Sequence, residues 1–373
     1  MNEKDKIFLE ESFKKYYFEN FGKIRVPPRT SEREFGYKKF DSGMIRHLSF
    51  KDDKALHLLL IKEIPSDVYC SNAYYSFPNL PMNEKDWKEA DLIFDIDSKD
   101  LHLECRKNHS VIKCKSCNNI SQLADSCPNC SDTKLDTQST TCQECINASR
   151  KEVKKLINIL TNDLNISEQN IEVFFSGNEG FHVHVYNSGF EKLGSRERSE
   201  LADYLLLKGI MPETMGFKRF KPEKSNFATL EEKGWRGRIA KEIFGSKSKR
   251  PKIINSIISN GYSQFQEQLV SLSNNVRVNI DPNVTTDVHR IFRLPGSLNS
   301  KSGLAKIPCI NIDSFDPFTD ACIISDNQIK IQADCPVQFR LNRKRFGPYK
   351  NEIVSVPGYA AVYMICKGLA HLI

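Results

Sequence analysis

Aromatic and aliphatic residues fall about one turn apart through the first twenty residues, a helical spacing. "VPPRTSEREFGYKKF" then reads as a loop leading to a strand-like "GMIRHLSF", and "DVYCSNAYYSF" and "ADLIFDID" both carry strand character. Residues 101 to 147 are short of large apolar side chains, and the pattern predicts an insert held by metal rather than by a core. Val153, Leu156, Ile157, Leu160 and Leu164 return at helical spacing, one apolar stripe with lysines opposite. "IEVFF", "SGNEG" and "FHVHVY" read as strand, turn and returning strand, a hairpin signal. From about residue 193 to 273 the pattern is mainly helical, interrupted by a polar, basic loop. "VRVNIDPNV" restores strand character, "HRIFRLPGSLNSKSGLAKIPCI" reads as strand, turn, strand, and the tail "GYAAVYMICKGLAHLI" as an apolar helix packed on the body. Mixed α and β structure with a metal-bound insert is as far as pattern carries the fold.

A chain of 373 residues can bury a substantial core and hold more than one domain. No stretch approaches the roughly 20 apolar residues that span a bilayer, which predicts no membrane segment. "MNEKDKIFLEESFKKYYFENF" carries acids and lacks the apolar run of a secretory signal, so an intracellular protein is expected. The net charge of +7 permits an anionic partner without demanding one. Its densest basic stretch, "KGWRGRIAKEIFGSKSKRPK", is either a solvated loop or a phosphate-backbone contact.

Seven of the 12 cysteines lie between residues 105 and 145, which favours metal over disulfides. Three Cys-x-x-Cys pairs stand out: Cys114 with Cys117, Cys127 with Cys130, and Cys142 with Cys145. Each such turn aims two thiolates at one tetrahedral ion, and Cys105 with His109 supplies a fourth half-site, so the count closes at two zinc ions. Nested pairing puts Cys105, His109, Cys142 and Cys145 on one ion and Cys114, Cys117, Cys127 and Cys130 on the other. Sequential pairing uses the first four and the last four. Neither leaves an open coordination position, so both zincs are expected to be structural.

In "ADLIFDID" a strand would set Asp95 and Asp97 on one face, where two carboxylates repel unless a cation lies between them or water solvates the sheet end. "SGNEGFHVHV" sets Ser176 and Gly177 at a tight turn and His182 and His184 on one strand face. The turn could admit an anion, or the histidines could simply pack in a core. "NIDPNVTTDVHRIFRLPGSLNSKSG" adds Asp281 at an expected strand end, with Asp287, Arg290, Arg293, Asn299 and Lys301 downstream. A third carboxylate would complete a two-metal site and the cations suit a triphosphate. The bland alternative is a basic hairpin.

Taken in order, "REFGY", "MIRHLSF", "DVYCSNAYY", "DLIFDID", "CQECINASRKEVKKLI", "FSGNEGFHVHV", "DPNVTTDVHRIFRLPGSLNSKSG" and "GYAAVYMICKGLAHLI" resemble the small catalytic subunit of archaeal and eukaryotic DNA primases over most of the chain. The resemblance implies an α+β fold, a primase catalytic core of mixed sheets flanked by helices, occupying residues 1–100 and 146–373. A zinc-binding insert would fill 101–145. The activity implied is template-directed synthesis of short primers on single-stranded DNA from nucleoside triphosphates. By motif match Asp95, Asp97 and Asp281 hold two Mg²⁺ or Mn²⁺ ions, and Ser176 and His182 contact phosphate. Arg293 lies over the triphosphate, with Arg46 and Arg33 as further candidates at the nucleotide. A separate large subunit is the implied partner in a heterodimer, and the location cytoplasmic if the source is archaeal.

This chain departs from the family at three places. Asn178 and Glu179 stand where eukaryotic members carry basic residues, and Asn299 stands where many relatives have a histidine, able to donate a hydrogen bond but no charge. The zinc block exceeds a single knuckle. Because "CQECINASRKEVKKL" matches the knuckle's last pair and following helix, the resemblance favours nested pairing, with Cys114 to Cys130 an added ribbon. Two other functions fit parts of the pattern: a repair or primase-polymerase relative that extends existing ends, and a non-catalytic zinc protein that binds nucleic acid.

Overall fold

Asn2 caps the first helix through its side chain, which accepts from Asp5 N at 2.7 Å. The helix, α1 (Glu3–Glu19), buries Leu9, Phe13, Tyr16 and Tyr17 along one stripe. The structure is a computed structural model and describes residues 1–220 and 222–373. Mixed helices and antiparallel sheets make the fold α+β. Two four-stranded sheets form its centre. The first contains β1 (Phe35–Lys38), β2 (Met44–Leu48), β3 (Asp67–Ser71) and a strand from far along the chain, Ile291–Arg293. The second contains Leu92–Asp97, Ile171–Phe175, Gly180–Val185 and Ile307–Pro308. In chain order these are β4 (Leu92–Asp97), β5 (Ile171–Phe175), β6 (Gly180–Val185), β7 (Ile291–Arg293) and β8 (Ile307–Pro308). The sheet orders are then β7-β3-β1-β2 and β8-β5-β6-β4, every pairing antiparallel.

Period-2 alternation gives the second sheet two different faces. Phe181, Val183 and Val185 of β6, with Leu92, Phe94 and Ile96 of β4, are buried in the main core. Val153, Leu156 and Leu160 of the helix Gln143–Asn162 join them there. The other face carries Asp95, Asp97, His182 and His184. It looks onto Phe292 of the first sheet, whose ring lies 5.9 and 6.0 Å from the two imidazoles. β7 and β8 belong to different sheets, so residues 294–306 cross from one to the other and close the cleft between them.

Helices Gly234–Phe244, Arg250–Asn260 and Tyr262–Val276 gather a separate hydrophobic cluster around Ile239, Phe244, Ile254, Phe265 and Leu269. At the far end Gln328–Cys335, Tyr349–Pro357 and Ala370–Leu372 make a three-stranded sheet. Among the described residues no helix is long and apolar enough to cross a membrane.

Several expectations are corrected. The basic stretch 233–252 is mostly helix, because Ile239, Ala240 and Phe244 make a buried stripe and lysine and arginine are good helix formers on the open side. "VRVNIDPNV" forms no strand: Asp281 caps the short helix Pro282–Thr286 with proline at its start, a helix-opening pair. "REFGYKKF", expected as loop, contains β1. The tail is helix only over Gly358–Cys366 and then returns as a strand. The helix Asp53–Glu63 and the long hairpin 328–357 had no counterpart in the pattern reading. The cysteine insert also contributes to the body: Val111 and Ile112 of its strand Ser110–Cys114 are buried, and Thr141 Oγ1 donates to Arg340 O at 2.7 Å.

Candidate active site and zinc centres

β4 ends in Asp95 and Asp97, and its register with β6 pairs Asp95 with His182 and Asp97 with Gly180. His182 Nε2 lies 3.5 Å from Asp95 Oδ1. Asp281 reaches the same place from the helix cap, its backbone N–H donating to Asp95 O at 3.0 Å. The three aspartates are therefore neighbours, although their carboxylate oxygens are not drawn into one cluster. Among the described residues only the two cysteine groups bring three or more ligand atoms within 4.8 Å of one another. Burial pushes the Asp95 carboxyl up to about 7, and the charges of Asp97 and Asp281 push the same way. Lys99 Nζ, 3.3 Å from Asp97, is the near cation that opposes this. Asp100, which the motif reading did not single out, is a fourth acid here, raised by burial and by Asp97 and Asp281. Hard oxygen donors on neighbouring acids fit a divalent cation.

Ser176 and Gly177 follow β5, in the turn that leads into β6 beside the Asp97 end of β4. Ser176 Oγ accepts from Gly180 N at 3.3 Å, and Asn299 Nδ2 donates to Ser176 O at 3.4 Å. Gly177 has φ of +85°, and a Cβ there would stand 3.1 Å from both Asn299 Cβ and Leu304 O, so glycine is what lets the two loops meet. Asn299 is thereby part of the turn's support. His182 is held well below the usual histidine range by burial and by Lys306, Arg293 and Arg290, so its ring is neutral, and its Nδ1 is buried without a partner.

Arg293 ends β7 with Nη1 donating to Asp67 Oδ1 at 2.6 Å and Leu298 O at 2.7 Å. Arg46 is bidentate on the buried Glu34, with Nε at 2.9 Å and Nη2 at 3.1 Å. Arg33 is buried, bridging Asp91 at 2.7 Å and Ser71 O at 2.8 Å, so its charge is spent on the scaffold. Lys306 had no mark in the sequence, yet it is fully buried on this face with His184 Nε2 accepting its Nζ at 2.9 Å.

The eight zinc-ligand candidates fall into the nested arrangement. Cys105, His109, Cys142 and Cys145 make one group, and Cys114, Cys117, Cys127 and Cys130 the other. In the first, Cys145 Sγ lies 3.6 Å from Cys105 Sγ and 3.3 Å from His109 Nε2. In the second, Cys114 is 3.5 Å from Cys130 and Cys117 is 3.6 Å from Cys127. Such spacings are close to those around a tetrahedral zinc with bonds of about 2.0–2.3 Å. Either group could hold zinc.

The family model for the DNA primase small subunit matches residues 124–310. A DNA primase small subunit of Nitrosopumilus maritimus is 60% identical over 99% of each chain. Those of Cenarchaeum symbiosum and Archaeoglobus fulgidus are 53% and 30% identical, over 99% and 97% of each chain. The chain belongs to the DNA primase small-subunit family. It is accordingly a primase catalytic subunit, a nucleotidyltransferase of the DNA-directed RNA polymerase type. In this primase the residues that sequence reasoning missed (Asp100, Lys306, Arg106, Lys367) are ordinary charges in the sequence, and only burial or a distant partner distinguishes them.

Proposed function

We propose that this primase subunit joins nucleoside triphosphates on a single-stranded DNA template without a pre-existing primer. The metal ligands are Asp95, Asp97 and Asp281, whose donor oxygens and shared negative charge suit Mg²⁺ or Mn²⁺. Two such ions, when bound, supply activation of the attacking 3′-hydroxyl and neutralisation of the leaving pyrophosphate. The chain's own residues do the positioning. Ser176 Oγ, at a turn that glycine keeps open, and the neutral His182 ring are placed to donate to phosphate oxygens. Arg293, anchored by Asp67, presents a fixed charge to the triphosphate, and Asn299 keeps the turn in register. Arg46, with 34% of its side chain exposed, is a further nucleotide contact at the rim. Zinc is proposed for both cysteine groups, in an insert of residues 101–145 set into a core of 1–100 and 146–373. The partners are a large subunit in a heterodimer and the template strand, inside the cell.

What carries the reading is the meeting of Asp281 with the Asp95 strand, far apart in the chain and joined by a 3.0 Å backbone bond. A core without catalysis has no use for three neighbouring aspartates at one strand end, which speaks against a purely nucleic-acid-binding zinc protein. Synthesis on single-stranded DNA with labelled nucleotides and Mn²⁺ or Mg²⁺ tests it. Short products are expected from the wild type with no primer supplied, and a loss of about a thousandfold or more in Asp95→Ala. Activity only on a supplied primer, even with the large subunit added, would favour the end-extending relative. Equal activity in Asp95→Ala would sink the metal reading.

A further inference from the structure

The turn that carries Ser176 is gripped from outside its own hairpin by two cations, one of them from the cysteine insert. Arg106 begins the single-turn helix Arg106–His109, capped by Cys105, so two ligands of the first zinc group bracket it. Its Nη2 donates to Glu179 Oε2 at 2.8 Å and to Ser98 Oγ at 3.2 Å, and its Nη1 to Ser139 Oγ at 2.8 Å. Glu179 is the last residue of the turn before β6, and Ser98 directly follows Asp97. Ser98 N also donates to Glu179 O at 3.4 Å. From the other side Lys367, at the end of the helix Gly358–Cys366, donates to Asn178 Oδ1 at 2.9 Å, with its Nζ 4.0 Å from Glu179 Oε1.

A four-residue helix cannot hold itself together in water, since the cost of nucleation exceeds what one turn of hydrogen bonds returns. What fixes this one is the closure of Cys105 and His109 onto Cys142 and Cys145, together with Thr140, whose N and Oγ1 donate to His109 O at 2.9 and 3.0 Å. Arg106 is only as well placed as that turn, and it is the contact that ties Glu179 and Ser98 to the insert. Both partners are largely buried, at 19% and 15% side-chain exposure, so the pair is shielded and geometrically fixed in a way a surface pair is not.

We infer that the Arg106–Glu179 pair is a strut through which the first zinc centre holds the Ser176–Glu179 turn, and the residue behind Asp97, in the geometry that receives the triphosphate. Arg106 is a positioning residue, and the first zinc sets nucleotide affinity as well as the insert's fold. This rests on the reading of the cleft as the triphosphate site.

The test uses the full-length chain. Primer synthesis by the wild type and its loss in Asp95→Ala check the cleft reading first and separately. Arg106→Gln is then expected to keep two zinc ions per chain by elemental mass spectrometry. It should raise KM for nucleoside triphosphate about tenfold with kcat within about twofold, and weaken binding of a fluorescent ATP analogue to match. Amide exchange at residues 176–180 should quicken. Glu179→Gln should raise KM similarly, and the double variant no further, because both remove one strut. Arg106→Lys, which keeps one charged contact, should show a smaller rise and serves if the Gln variant does not fold. Additive effects in the double variant would overturn the strut, as would an unchanged KM in a folded, zinc-loaded Arg106→Gln. Loss of the first zinc in that variant would also overturn it, by making Arg106 part of the metal centre's own folding. The nucleotide-binding arm reads the strut even if unprimed synthesis fails.

Discussion

Asp95 holds its proton up to about pH 7 because it is buried and faces Asp97 and Asp281. Its ordinary value is 3.8, so the metal-free folded state binds this proton more tightly than the unfolded chain does. The stability it contributes is complete below about pH 4 and is lost as pH rises through about 7. A divalent cation reverses the cost at neutral pH by displacing the proton. Mn²⁺ affinity should therefore climb about tenfold per pH unit between roughly 5 and 7 and level off above, with a shallower slope in Asp95→Asn. Electron paramagnetic resonance of free Mn²⁺ across that range measures it, and a flat wild-type profile would refute it. Lys306 meets the upper edge of this window but acts in the opposite direction. Burial and Arg293 pull it down to about 7, so its contribution is complete above its ordinary 10.5 and lost as pH falls through about 7. At this scale the sequence showed the aspartates and cysteines because their spacing is the signal. A lysine in "GLAKIP" carries no such mark, and its burial comes from two sheets closing over it.

Between elements, the approach of β6 to β4 is what sets Asp97 beside the phosphate turn. Gly180 makes that approach possible: a Cβ there would stand 2.3 Å from Ile96 O and 2.8 Å from Asp97 Cα. Gly180→Ala should cost about 1–3 kcal/mol and lower Tm by several degrees. It should also weaken Mn²⁺ binding by displacing Asp97 at the end of β4. Calorimetry with a parallel Mn²⁺ titration checks both, and an unshifted Tm with full metal affinity would show the strands accommodating the methyl. β4 and β6 were legible because one face is core and the other carries the polar residues, and β5 because its run is apolar and bounded by a turn. β1 was hidden inside a polar, aromatic run, with no apolar/polar alternation to mark it; it pairs with the next strand, β2, and with β3 beyond the helix Asp53–Glu63. The basic helix Gly234–Phe244 was hidden because charge density dominates a local reading, while its apolar stripe gains meaning only against the cluster it packs on.

Over the whole molecule, two hydrophobic bodies are distinguishable, the main core and the helical cluster of residues 207–276. Ile254, 1% exposed in the second, offers a test: Ile254→Ala should cost that cluster about 2–5 kcal/mol. Hydrogen exchange is expected to quicken over the helices of residues 234–276 while β4 and β6 keep their protection. Uniform loss of protection would mean one cooperative unit. Legible along the chain alone were the family, the α+β character, the acidic pair on one strand face, and eight candidate zinc ligands. Those are properties of spacing along a chain, and spacing survives in one dimension. Tertiary structure decided the rest. It chose nested over sequential grouping, brought Asp281 to Asp95, and spent Arg33 on Asp91. It also tied the first cysteine group through Arg106 to Glu179, 73 residues away. Each is a matter of which side chains burial brings within a few ångströms, and closure of the two sheets settles that.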